Sequence, residues 1–372
     1  VSRARPRPLA WLLVALGLLA PAPAVAPAQG PAAGGVAPAG GVARVSFLDI
    51  GQGDAILIRS PEGRTALIDA GLDRSVVDRI KECGVTALDL VVVTHHHTDH
   101  YGGMDDVLEA FRPRYFLAAR TSHTTSMFVK LLRMVRDQGI TALAPASSAR
   151  KIQLGSVTLT VLPQPPEDTK EENDNSIAIR LTHGALDVLM TGDSEEPARA
   201  WWREHCPELL RDCDVLKLAH HGSRNGTDPE WLDLVRPRVA VASLGKGNSY
   251  GHPHSETLEL LAEKGVPLLR TDERGTITIR SDGRRWSVDK PSAGELASGP
   301  AERSSSSASS SSGVRRRSKS PGGGGEAVTM AQAEGPRRGW TGRRGRSGAT
   351  ATAAAEADPE VAPASDDTTR RR

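Results

Sequence analysis

Residues 90–100 read LVVVTHHHTDH. The first half is apolar and β-branched, which suits a buried strand. The second half is polar, and a strand that ends this way delivers its last side chains to the rim of a sheet. On an extended chain alternate residues face the same side, so His95 and His97 point together and His96 is turned away from both. Asp99 and His100 follow as the chain turns through Gly102 and Gly103 into a helical pattern. Two adjacent pairs of imidazole and carboxylate donors can serve two metals a few ångströms apart. A histidine tag has the same residue type but lies at a terminus and holds no Asp. This cluster is internal, between a strand and a helix.

Other apolar runs end alike. Residues 188–193 read VLMTGD and finish on Asp193; residues 215–223 read VLKLAHHGS and pass through His220 and His221; residues 67–71 read LIDAG and carry Asp69. Taken singly, each polar ending reads as a cap or turn. Four such endings in one chain point to a shared site.

Around these runs the pattern is of strands first and alternating strands and helices later. Apolar runs at 45–50, 55–59 and 65–68, parted by Gly-rich or Pro-Glu-Gly turns, predict an antiparallel meander. Further strands are expected at 88–93, 157–162, 177–181, 188–190, 215–218 and 239–242. Helices are expected at 74–82, 104–110, 125–138, 195–204, 229–235 and 255–263. Such an order implies layered sheets covered by helices. There is no internal repeat.

The chain of 372 residues carries 47 Lys and Arg against 45 Asp and Glu, but its ends differ from its middle. Residues 1–30 read as an export signal, with Arg3, Arg5 and Arg7 ahead of a short apolar stretch and small-x-small sites around Ala26 and Ala28. An uncleaved anchor is the alternative. No later stretch is apolar enough to span a membrane, and an exported protein, periplasmic or extracellular, is expected. Residues 31–41 form an Ala/Gly/Pro-rich linker. The globular unit is expected at 42–290, and a Ser/Gly-rich, Arg-studded tail at 291–372 is expected to be disordered. With the ends set aside, the middle is mildly acidic, which argues against a core that binds nucleic acid through bulk positive charge. The tail's Arg clusters suit nucleic acid or an anionic surface, or are simply solvated. Cys83, Cys206 and Cys213 lack zinc-knuckle spacing; Cys206 and Cys213 are left open as a disulfide or as two buried thiols.

The run HHHTDH fits the pattern HxHxDH, and with LIDAG, TGD and AHHGS it resembles the metallo-β-lactamase superfamily. Within it, FLDIGQGDAILI at 47–58, NDNS at 173–176 and SYGHPH at 249–254 are similar to the hydrolase domain of ComEC-type DNA-internalisation proteins, over about residues 44–282. The resemblance implies an α/β fold, the αββα sandwich of two mixed sheets flanked by helices. It implies one metal on His95 and His97 and a second on Asp99, His100 and His221, with Asp193 bridging. His221, directly before Gly222 and Ser223, matches the last ligand better than His220, which is left to face substrate or to pack. Asp69 is expected to hold the ligand loops by hydrogen bonds. Where many members have a third histidine, this chain has NDNS; Asn175 is a weak neutral donor and His183 lies beyond the strand, so a single-metal centre stays open. The donors suit Zn2+, and Mn2+ accepts them too.

The expected activity is hydrolysis of a phosphodiester, nucleic acid first, by an exported monomeric enzyme. Asp99 is expected to orient or deprotonate water and His252 to contact phosphate or protonate the leaving oxygen, with His220, Ser223, Asn225 and Asn248 adding contacts. The alternatives are a non-nucleic envelope phosphodiester, an ester, thioester or lactam, and a noncatalytic nucleic-acid-binding module that uses the basic tail.

Overall fold

The structure, a computed structural model, describes residues 41–120, 125–145, 147–165, 171–289, 298–300 and 327–329. The signal-like segment, the linker up to residue 40 and all of the tail apart from two short strands lie outside the described residues.

The meander at the start is present. Strands β1 (Ala43–Phe47), β2 (Ile56–Arg59) and β3 (Thr65–Ile68) pair antiparallel in sequence order. Helix α1 (Ser75–Glu82) leads to β4 (Leu90–Val93), which pairs parallel with β3. A short turn of helix, α2 (Thr98–Tyr101), and α3 (Met104–Phe111) precede β5 (Tyr115–Ala118), and α4 (Ser126–Asp137) precedes β6 (Thr141–Leu143). The second half begins with an antiparallel run, β7 (Arg150–Leu154), β8 (Val157–Val161), β9 (Ile179–His183) and β10 (Leu186–Met190). Then α5 (Glu196–His205), β11 (Val215–Lys217), α6 (Pro229–Val235), β12 (Val239–Ala242), α7 (Ser255–Glu263) and β13 (Leu268–Arg270) extend the same sheet in parallel. After α8 (Thr271–Arg274), β14 (Ile277–Ser281) and β15 (Arg285–Val288) return to the first sheet, β14 pairing with β1. Two tail segments, β16 (Ser298–Pro300) and β17 (Ala327–Thr329), lie at the outer edges beside β15 and β7.

Among the described residues the first sheet therefore has nine strands and the second eight. Alternate side chains of both sheets, such as Phe47, Ile58, Leu90 and Val92 from one and Leu159, Leu181, Val188 and Val241 from the other, fill one core between them. The opposite faces are covered by helices. Val77, Ile80, Val107, Leu108 and Leu131 pack under the first sheet, while Trp202, Trp231, Leu232 and Leu261 pack under the second. This is a four-layer αββα sandwich with two mixed sheets. Strands such as β4 and β12 are apolar on both faces because each face meets another layer.

Cys206 and Cys213 are buried thiols that are not joined in a disulfide. Burial pushes the Cys206 thiol up to about 12. No helix among the described residues is long and apolar enough to cross a membrane.

Candidate metal centre

The polar strand endings meet at one rim of the sandwich. β4 runs into Thr94 and the histidines, with Asp99 and His100 on α2; β10 runs through Gly192 into Asp193; β11 runs into the turn 219–222 that carries His220 and His221. Gly192 has φ +56°, and a Cβ there would come within 2.8 Å of Ser176 Oγ, so the turn that aims Asp193 takes no side chain. Ser176 Oγ in turn accepts a hydrogen bond from Asp193 N–H at 3.1 Å. His220 and His221 both hold left-handed backbone, φ 49° and 55°. Such residues cost about 1–3 kcal/mol each and persist where surrounding structure over-determines them.

Asp99, His100, Asp193 and His221 each bring one donor atom into a group lying within 4.8 Å. Asp193 Oδ2 is 3.1 Å from His100 Nε2, 3.4 Å from His221 Nε2 and 3.9 Å from His95 Nε2. Asp99 Oδ2 is 3.2 Å from His221 Nε2. His95 and His97 lie outside that compact group and beside each other, His95 Nε2 3.2 Å from His97 Nδ1. His95 is buried and His97 exposed.

The far side of each buried ring is fixed by an oxygen. His100 Nδ1–H donates to Asp69 Oδ2 at 2.8 Å, and His221 Nδ1–H donates to Ser243 O at 2.9 Å. Thr94 gives both its N–H and its hydroxyl proton to Asp69, each at 2.7 Å, so its oxygen is left to accept from His95 Nδ1–H at 3.2 Å. Every one of these tautomers turns Nε2 toward Asp193, the arrangement by which hydrogen bonds behind a histidine orient it for a metal. Asp193 Oδ1 is buried without a hydrogen-bond partner. A lone pair on His95 Nε2 facing a carboxylate is repulsive unless a cation sits between them. The donor set and its orphaned oxygen therefore fit a divalent metal centre.

Charge within the cluster points the same way. Burial works against an imidazolium at His100 and His221, but Asp193, with Asp69 behind His100 and Asp54 and Asp99 beside His221, outweighs it and holds both well above the usual histidine range. Burial likewise disfavours charge on Asp193 and Asp99, yet His100 and His221 hold both well below the usual carboxylate range. Burial, with His100 next, holds His95 well below 6.5. In the metal-free protein two imidazolium protons thus do the neutralising that a cation does when bound. Raised histidines stabilise fully below their unfolded value, about 6.5, and that contribution is lost as pH rises through the raised values. Metal uptake is accordingly expected to release protons. Between pH 6 and 9 the melting temperature of chelator-treated protein should fall while the increment gained on adding Zn2+ or Mn2+ grows; calorimetric titration in buffers of different ionisation enthalpy counts the protons. A metal increment independent of pH would contradict it.

The remaining expected site residues are placed as follows. His220 Nδ1 lies 3.2 Å from Glu195 Oε1, and its ring is 5.5 Å from that of His252. His252 is 8% exposed, and its Nδ1 has no hydrogen-bond partner. Burial, then the neighbouring His221, His220 and His254, pushes it down to about 4. Asn248 braces the loop, accepting from His252 N–H and donating to His252 O at 2.9 and 2.8 Å. Ser223 is buried and accepts from Asn225 N–H. Asn175 donates its amide to Glu171 O at 3.4 Å. Its neighbour Asp174 caps α5 through Glu195 N–H and Ala198 N–H. His96 is buried with its ring 4.1 Å from Phe128. His183 bonds Ser281 Oγ at 2.9 Å, joining β9 to β14.

Behind His221 stands a support that the pattern of strand endings does not reveal. Asp54 Oδ1 lies 3.4 Å from His221 Nδ1, and Asp54 Oδ2 pairs with Lys217 Nζ at 2.8 Å. Both side chains are buried, Lys217 completely. Asp54 N–H also donates to Asp99 O at 3.2 Å, and a Cβ on Gly53 would come within 2.1 Å of that oxygen. The GQGD stretch is thus a buttress pressed against α2.

A family model described as the metallo-beta-lactamase superfamily matches residues 48–246. Comparison with curated proteins finds ComE operon protein 3 of Bacillus subtilis, 27% identical over 64% of this chain and 33% of that protein. Competence protein ComA of Neisseria gonorrhoeae is 27% identical over 63% of this chain and 32% of its own length. Recombination protein 2 of Haemophilus influenzae is 27% identical over 63% and 28%. The chain therefore spans about a third of the length of these relatives. With the model match covering more than half of the sequence, and with the four-layer sandwich and the His/Asp cluster at its rim, the chain belongs to the metallo-beta-lactamase superfamily and is related to its ComEC-type members.

Proposed function

We propose that the protein is an exported metal-dependent phosphodiesterase acting on nucleic acid. The observation that carries the hydrolytic part is the convergence of Asp99, His100, Asp193 and His221 from three separate segments into one group within 4.8 Å. The nucleic-acid part is supported by relatives named for competence and recombination. Asp99, His100, Asp193 and His221 would hold one ion, and His95 and His97, with Asp193 shared, a second; Zn2+ suits these donors and Mn2+ is accepted by them. Bound there, such ions supply an activated water and polarise a phosphoryl oxygen.

The chain's own groups do the rest. Asp99 is the partly exposed carboxylate of the cluster, with a side chain 25% accessible. Held anionic, it accepts a hydrogen bond from the attacking water and so orients it. His252 is neutral near pH 7 and offers a ring N–H to a phosphoryl oxygen; the incoming anion opposes the local positive field and favours charging the ring. His220, propped by Glu195, stands with its ring 5.5 Å from that of His252. The new bond joins water oxygen to phosphorus, and the bond that breaks joins phosphorus to the departing alkoxide, which leaves with a proton.

The metal-loaded full chain is expected to cleave single-stranded DNA or bis-p-nitrophenyl phosphate, and His97→Ala to slow it by about tenfold or more, a cost of only about 1.4 kcal/mol in the barrier. Inactivity on every phosphodiester, with His97→Ala indistinguishable, would overturn the reading. Nitrocefin turnover in place of phosphodiester turnover would move the protein to acyl chemistry. Binding of DNA that disappears with residues 291–372, with nothing cut, would make it a binding module.

A further inference from the structure

The loop from Leu244 to His252 carries two side chains that the proposed chemistry does not use. Tyr250 is 62% exposed, more than any other large hydrophobic among the described residues. Isolated exposed rings are ordinary, but this one stands against His252, one ring out from the ligand His221. Its ring lies 5.7 Å from that of His252 at an interplanar angle of 23°, and His252 is in turn 6.2 Å from the ring of His221. Four residues before it, Lys246 is exposed and pairs with no carboxylate among the described residues.

The loop is held before any ligand arrives. Asn248 bonds His252 N–H and His252 O, and its amide reaches Gly245 O at 3.3 Å. Gln52 Oε1 accepts from Gly245 N–H at 3.3 Å. His254 Nδ1 accepts from Arg224 N–H at 3.0 Å, so its other nitrogen carries the proton and donates to Tyr250 O at 3.2 Å. The Tyr250 backbone is thereby tied to the segment that follows His221. A preorganised ring loses little entropy when it meets a ligand.

An exposed aromatic face with an exposed cation on the same loop suits binding of single strands, since bases stack on the ring and phosphates meet the charge. In a duplex the base faces are already stacked and closed to such a ring. We propose that Tyr250 is a stacking platform for an unpaired base next to the phosphate seated at the metal centre, with Lys246 on a neighbouring phosphate, so that the preferred substrate is single-stranded nucleic acid. This rests on the phosphodiesterase reading for what lies at the metals, but the platform is tested by binding.

The experiment measures anisotropy of labelled oligothymidylate and of an abasic oligomer of equal length, both with phosphorothioate links that resist hydrolysis, on the metal-loaded full chain. Oligothymidylate is expected to bind about tenfold tighter than the abasic strand, the scale of one base stacked on an aromatic ring. Tyr250→Ala should remove that advantage while leaving abasic binding within about twofold, and Tyr250→Phe should keep it. Lys246→Ala should weaken both strands alike and flatten the salt dependence by about 0.7 in log–log slope. Equal losses on the two strands for Tyr250→Ala, or none, would overturn the platform; an unchanged salt slope would remove Lys246 from it. If no phosphodiester is cleaved while base-dependent binding still vanishes with Tyr250→Ala, the platform stands and the hydrolytic reading falls. If ordinary phosphodiesters are cleaved and Tyr250→Ala changes no binding, the reverse holds.

Discussion

Asp193→Ala protein is expected to lose most of its bound metal and to hydrolyse phosphodiesters on the order of a thousandfold more slowly than the parent. Asp193 is the residue on which the cluster closes: one oxygen faces His95, His100 and His221 at 3.1 to 3.9 Å, and the other is buried without a partner. Removing it leaves His95, His100 and His221 without their common carboxylate, with only Asp99 remaining on the Nε2 side, 3.2 Å from His221 and 4.0 Å from His100. Activation of water and polarisation of an oxygen are worth several kcal/mol, and about 1.4 kcal/mol is a factor of ten in rate. Metal content after gel filtration, read beside the rate, separates loss of the centre from loss of fold, because Asp193→Asn keeps the shape and the backbone bond to Ser176. An Asp193→Asn protein that kept full metal and full rate would show that the carboxylate is not the shared ligand and would take the proposed arrangement with it.

The ligand-bearing strand ends were legible because each is a run of apolar residues broken by one kind of side chain a buried strand does not otherwise end on. Residues 90–93, 188–190 and 215–217 fall in strands for that reason, and His95, Asp193 and His221 follow from where those runs stop. Less was legible where the period was short or the charge high. Arg150–Leu154 reads RKIQL and Ile277–Ser281 reads ITIRS; each alternates faces over only five residues, too short a run for the pattern to mark a strand. Yet Ile279 lies between Val45 and Val288 in the sheet and is fully buried. Its environment comes from strands distant in sequence, which no local pattern contains. Asn175 shows the same limit at the site. The NDNS segment drew attention to its amide, but its neighbours act on the centre: Ser176 through the Asp193 backbone, and Asp174 through Glu195, which props His220. One signal lies in the sequence itself. Lys217 stands inside the apolar run VLKLA, and a lysine in a strand covered on both faces demands a buried carboxylate.

That demand makes Lys217→Met the larger stability prediction. The ammonium of Lys217 is wholly buried, 2.8 Å from Asp54 Oδ2, and donates to Leu218 O at 2.9 Å. Burial disfavours the Asp54 carboxylate, but Lys217 and His221 outweigh it and hold it below its usual range. Replacing the lysine alone leaves that carboxylate charged in the core without its partner, which costs about 3–5 kcal/mol. Urea unfolding of metal-free protein at pH 7 should show it as a lower midpoint with little change in slope. Adding Asp54→Asn to Lys217→Met should recover much of the loss, because neither position of the pair then carries a buried charge. The double variant should still bind metal about 10–100-fold more weakly than the parent, since the group behind His221 has changed. Stability and metal affinity thereby part company: a pair that served only packing would restore both together, and a pair that only tuned the ligand would never have moved the unfolding midpoint.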